Sequence, residues 1–185
     1  VRRTLVLRAH ADRPFADAAA AEDVLRVTLL GDADAGADEA WGFEAAALGR
    51  SHGLIERIGE TIDARGVTRV VLPALDDAGS DDERAAIRAA VAAASVRDVD
   101  VVLGGEARPA AEAQRALTAA ARARTADDER TVTAVISAWN KRDDVRANLL
   151  GLRAQTRPFD DVVVVDNHSD DGTARMIRDE FPEVR

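Results

Sequence analysis

Short apolar runs recur along this chain, and most are followed by a longer stretch whose apolar positions fall three or four residues apart. The short runs are rich in Val, Leu and Ile, which suit a pleated, half-buried surface. They predict strands at 4–9, 24–30, 69–72, 99–103, 132–136 and 162–165. The longer stretches predict helices. A short Ala-rich helix covers 15–21, and a second covers 39–48, closing at Gly49 just past its end. Ser51 caps a third, in which Leu54, Ile55, Ile58 and Ile62 share one face before Gly66. Ser80 caps a fourth over 81–94, whose first turn carries the acidic residues that a helix dipole favours. Gly104-Gly105 stops the next strand, and Pro109 stands near the start of an Ala-rich helix running to about Arg124. Between the last two strands, Val145, Leu149, Leu150 and Leu152 form the apolar side of one more helix.

Strands alternating with helices indicate parallel pairing, because parallel neighbours need a crossover between them. The predicted fold class is α/β. Residues 1–124 form a Rossmann-like, doubly wound parallel sheet, 125–130 a charged linker, and 131–185 a separate βαβ unit. A length of 185 residues fits one full domain or parts of two. Val1 stands where Met is expected, and the chain stops within one more βα unit, so a fragment is expected.

Composition narrows the function. Ala is the commonest residue in the hydrophobic content of 46% and only 3% of residues are aromatic, so the core must rest on Val, Leu and Ile. Net charge is −9, which argues against a nucleic-acid partner, since phosphates reward clustered Lys and Arg. Residues 131–185 hold 8 basic and 10 acidic side chains, so most of the acidity precedes them. The absence of cysteine excludes disulfides and thiolate metal sites. No apolar run reaches transmembrane length, and the N-terminal run is too short for a signal peptide.

The candidate chemistry sits at the ends of the last two strands. One ends in Ser137-Ala138-Trp139-Asn140, the other in Asp166-Asn167-His168-Ser169-Asp170-Asp171-Gly172-Thr173. In open α/β sheets ligands bind outside the carboxyl ends of strands, where both loops lie. The same residues also suit a plain structural role, with Asn140 or Asp143 capping a helix and the Asp/Asn/Gly cluster making a turn. The acidic loop from Gly31 to Gly36 lacks the ligand spacing of a calcium loop and is expected to be a solvated turn. Gly104-Gly105 could approach a phosphate but no Gly-x-Gly-x-x-Gly pattern follows. His10 is expected to make a structural hydrogen bond, His52 and His168 to face solvent, and Trp41 and Phe43 to pack in the core.

The run VISAWNKRDDVRANLLGLRAQT, followed by VVVVDNHSDDGTARMIRDEFPEVR, resembles the start of a family 2 glycosyltransferase with the GT-A fold. That resemblance implies transfer of a sugar from a nucleotide-diphosphate sugar to the hydroxyl of a carbohydrate or lipid-linked acceptor. It implies nucleotide-sugar contacts for Ser137, Ala138, Trp139, Asn140, Asp166 and Asn167, with Asp166 and Asn167 facing base and ribose. Ser169 and Asp170 shape the loop, and Gly172-Thr173 starts the next helix. Lys141 departs from the Glu often found at its place. Mg²⁺ or Mn²⁺, with its Asp-x-Asp ligands, and the catalytic base are implied further along than Arg185, so no catalytic residue is assigned and this fragment alone is expected to be inactive. A cytoplasmic setting at the inner face of the membrane, in cell-envelope synthesis, is implied as well.

A fainter similarity covers the first part. Ala-His-Ala-Asp-Arg, VTLLGDADAG and FEAAALG are similar to segments of the PIG-L/LmbE family of zinc-dependent N-deacetylases. The resemblance implies metal ligands at His10, Arg13 and roughly Glu83, with Asp12 as general base. A cation at Arg13 repels zinc, so a degenerate deacetylase or a non-enzymatic scaffold is the alternative expectation.

Overall fold

The computed structural model describes residues 3–8, 15, 23–29, 36–41, 52–124 and 130–185. Within them, β1 (Arg3–Arg8), β2 (Asp23–Thr28), β3 (Glu39–Ala40), β4 (Arg69–Leu72), β5 (Asp100–Leu103) and β6 (Glu106–Pro109) make one sheet in the order β3-β2-β1-β4-β5-β6. Every neighbouring pair is parallel except β5 with β6. The order turns back at β1, with β2 on one side and β4 on the other. Leu5, Val6 and Leu7 of β1 are buried on both faces, as a central parallel strand requires.

Helix α1 (His52–Arg65) buries Leu54, Ile55, Ile58 and Ile62, the face its spacing predicts. Helix α2 (Asp81–Ala94) is buried almost all round from Ala86 onwards. Its neighbours are α1, α3 (Ala110–Arg124) and α4 (Arg142–Arg153), so only small side chains fit on most of its sides. Alanine there is a packing choice as much as a helix-forming one. Ser80 caps α2 by accepting the Glu83 N–H at 3.1 Å, and the Glu83 carboxylate accepts the Gly79 N–H in return. The pair works as a capping box does, except that the return bond goes to Gly79, one residue before the cap.

Two expectations change. Glu39–Ala40 is not the start of a helix but an edge strand, paired with Val27 and Thr28 of β2. Pairing with an existing edge overrides the local helical pattern there. Trp41 continues this edge, donating its N–H to the Thr28 carbonyl at 3.0 Å and packing against the core. The second change follows Gly104-Gly105. Both glycines have positive φ, 59° and 89°, and form a two-residue hairpin turn into β6. A side chain at Gly104 would stand 2.8 Å from Ala74 Cβ, so the turn needs glycine for space as well. The pair serves the hairpin, and the sheet gains an antiparallel edge absent from the predicted fold. Phe15, where the predicted helix 15–21 should start, is not helical, and residues 16–21, the acidic loop before Gly36, and Ser51, Gly49 and Phe43 lie outside the described residues.

A second sheet pairs β7 (Thr133–Ala138) with β8 (Asp161–Asp166) in parallel through α4, and α5 (Thr173–Glu180) follows. Helix α4 packs on both α1 and α2. Val145, Leu149, Leu150, Met176, Ile177 and Phe181 therefore belong to the same continuous core as Leu5 and Ile58. Arg153 ties the regions at their edge. It reaches Ser95 Oγ at 3.2 Å, the Glu180 carbonyl at 2.7 Å and the Glu183 carboxylate at 2.7 Å, and lies 4.3 Å over the Phe181 ring.

Candidate functional site

The strands β7 and β8 run in register, and Ala138 pairs with Asp166 as the last couple. Both following loops thus leave the sheet at one level. Alternation along β7 turns Ala134, Ile136 and Ala138 towards the helices and leaves Thr133, Val135 and Ser137 exposed.

The two loops are laced to each other. The Asn167 side-chain amide donates to Ser137 Oγ at 2.9 Å, and its backbone N–H donates to the Ala138 carbonyl at 2.8 Å. The Asn140 N–H donates to Ser169 Oγ, and the Asp170 N–H donates to Asn140 Oδ1, each at 2.9 Å. Within the second loop, Ser169 donates its hydroxyl to Asp166 Oδ1 at 2.5 Å and its N–H to Oδ2 at 3.3 Å. Among the described residues, the non-glycine residues with positive φ are Asn140, at 48°, and His168, at 62°, one in each loop. Such conformations persist only where the surroundings over-determine them, and they gather at functional sites.

All six residues singled out in the sequence meet along this rim. Ser137 accepts from Asn167 and keeps its own hydroxyl proton to donate. Trp139 projects outward, 67% exposed. Asp166 is half-buried and oriented by Ser169, and each oxygen retains acceptor capacity. Asn140 is not the cap of α4. That position belongs to Lys141, which makes no side-chain cap bond and pairs with Asp144 at 3.4 Å. The turn-forming side chains bring these residues together along one rim.

Arg142 and Asp171 belong to the same constellation without having been singled out. Asp171 Oδ2 accepts the Arg142 N–H at 2.9 Å. Its Oδ1 accepts both the N–H and the hydroxyl of Thr173, at 3.0 and 2.5 Å. The Thr173 hydroxyl and these backbone N–H groups hold the Asp171 carboxyl below the usual carboxylate range. An Asp two residues before a helix start is a readable local signal. Its second bond, to a residue 29 positions earlier, is not.

No three His, Asp or Glu side chains stand together as a set that could hold a metal ion among the described residues.

At the other sheet, a cavity of about 510 Å³ opens at the carboxyl ends of β1, β4 and β5, lined mainly by apolar side chains with Arg8, Asp77 and Glu83. Of the positions similar to deacetylase ligands, only Glu83 is described, and its carboxylate accepts the Gly79 N–H at the start of α2. His10, Asp12 and Arg13 lie outside the described residues.

Among the described residues no helix is long and apolar enough to cross a membrane. Compared with known proteins, the chain matches no curated protein and no solved structure. Residues 133–185, from the first residue of β7 to Arg185, match the family model of glycosyl transferase family 2. This stretch, which holds both laced loops, is a family 2 glycosyltransferase segment.

Proposed function

We propose that the rim formed by Ser137–Asn140 and Asp166–Asn167 is the nucleotide-facing half of a donor site for glycosyl transfer from a nucleotide-diphosphate sugar. The observation that carries this reading is the lacing of the two loops. It holds a carboxylate, a free hydroxyl proton and an exposed indole at the carboxyl ends of two parallel strands. Asp166, ionised, accepts from an imide N–H or a ribose hydroxyl. Ser137 donates to a base carbonyl or ribose oxygen, and Trp139 offers an aromatic face to the base. The acceptor fitting this activity is a carbohydrate or lipid-linked hydroxyl, and cell-envelope synthesis at the cytoplasmic face of the membrane is the setting.

Calorimetric titration with UDP, GDP and dTDP tests this reading. Saturable binding of one of them, lost in Asp166→Ala, is the expected result. Failure of all three to bind the folded chain would overturn it.

A further inference from the structure

Loop lacing explains why the rim residues meet, but not what fixes the distance between the helices that follow. Helix α4 begins at Arg142 after a Lys141 with no side-chain cap bond. Helix α5 begins at Thr173 after Gly172, whose φ of 86° suits glycine and which has no side chain to cap with. The first N–H groups of a helix need acceptors, and its N-terminus favours negative charge. Here a single carboxylate serves both helices. Asp171 takes the Arg142 N–H on one oxygen and the Thr173 N–H and hydroxyl on the other. Thr173 is fully buried, so its hydroxyl has no water to turn to.

We propose that Asp171 is a positioning residue that buckles the N-termini of α4 and α5 together and thereby sets the gap between the two nucleotide-facing loops. The other links between the loops are made by neutral groups: Asn140 with Ser169 and Asp170, and Asn167 with Ser137 and Ala138. Asp171 adds the charged link, and hydrogen bonds to charged groups are the stronger class. Its place is also distinctive. Asp166 orients its own loop through Ser169, whereas Asp171 joins the second loop to the backbone of the first. The nucleotide contacts on either side then keep a fixed spacing when the site is empty, and binding needs less ordering.

The proposal rests on the donor-site reading, and its test separates the two. The whole chain is compared with Asp171→Ala, which removes both acceptors, and Asp171→Asn, which keeps one oxygen. Amide NMR spectra are recorded first, without ligand. In Asp171→Ala the signals of Asn140, Arg142, Asn167 and Ser169 should move together while those of Val70 and Val101 stay in place. Unmoved signals at Asn140 and Asn167 would overturn the proposal whether or not a nucleotide binds. Affinity for UDP, GDP or dTDP is measured next. Asp171→Ala should weaken binding by about tenfold, with Asp171→Asn between it and the parent chain. A carboxylate that only stabilised the fold would lower the melting temperature or the number of competent sites and leave the Kd unchanged. That outcome overturns positioning and leaves the donor site standing. If the parent chain binds none of the three, the donor-site reading falls, and with it the functional half of this proposal.

Discussion

The two sheets of this molecule are built on opposite terms. In the larger one, β1 is apolar on both faces, and Leu5, Val6, Leu7, Val70 and Val101 are all fully enclosed or nearly so. In the smaller one, β7 and β8 give one face to the helices and leave the other open, with Val135 and Val165 exposed beside Trp139. The first gains its order from burial, which is strong and has no direction. The second adds a network of directed hydrogen bonds where its loops meet, and its helices borrow the apolar surface of α1 and α2. A family 2 segment with precise loops thus stands on a core that is largely supplied by residues before it.

The harshest way to break this comparison is to damage the shared core from the far side. Ile58 on α1 is fully buried, and Ile58→Ala should destabilise the chain by about 2–5 kcal/mol through lost burial and the cavity left behind. Since α4 packs on α1, both sheets should be affected. Urea unfolding followed by far-UV circular dichroism and by Trp139 fluorescence, in a Trp41→Phe background, should show coincident shifts. A shift in the first signal alone would mean that the smaller sheet holds itself.

The same contrast explains what could be read in advance. The central strands, α1 and α2 were legible because burial imposes a pattern on the residues themselves: a solid apolar run in β1, and a 3–4 spacing in Leu54, Ile55, Ile58 and Ile62. The edges were not. Glu39–Ala40 pairs through backbone groups that leave no mark on side-chain type, and Glu-Ala-Arg-Pro in β6 has no apolar alternation. At the site, Ser137–Asn140 and Asp166–Asn167 were legible as polar residues at strand ends. The bonds between the loops were not, because Asn140 with Ser169 and Arg142 with Asp171 are each 29 residues apart.

A smaller effect sharpens the comparison at the seam. Arg153 is 14% exposed in its side chain and joins Ser95 of the larger region to Glu180 and Glu183 of the smaller. Arg153→Ala should cost about 1–3 kcal/mol, less than the core substitution, because Glu183 can return to water. The pairing has a signature in acid. Burial pushes the Glu183 carboxyl up, but the Arg153 hydrogen bonds and charge outweigh it, and the result lies below the usual value. A carboxyl lower in the folded than in the unfolded state stabilises the fold above the unfolded value of about 4.3. That contribution is lost as pH falls through the folded value. Part of the acid sensitivity of the parent chain should therefore vanish in Arg153→Ala and persist in Ile58→Ala. Equal acid profiles in all three would remove Glu183 from the account.

The gentlest test makes one substitution in both sheets. Val70→Thr places a hydroxyl at a site with no exposure, where an unbonded polar group costs about 1–3 kcal/mol. Val135→Thr places it at a residue 69% exposed, where water satisfies it, and the change should stay within about 0.5 kcal/mol. Thermal or urea unfolding of the two variants measures the difference directly. Similar losses in both would show that the open face of β7 is covered in solution, and dilution would then separate a second copy of the chain, whose protection fades with concentration, from cover within one molecule.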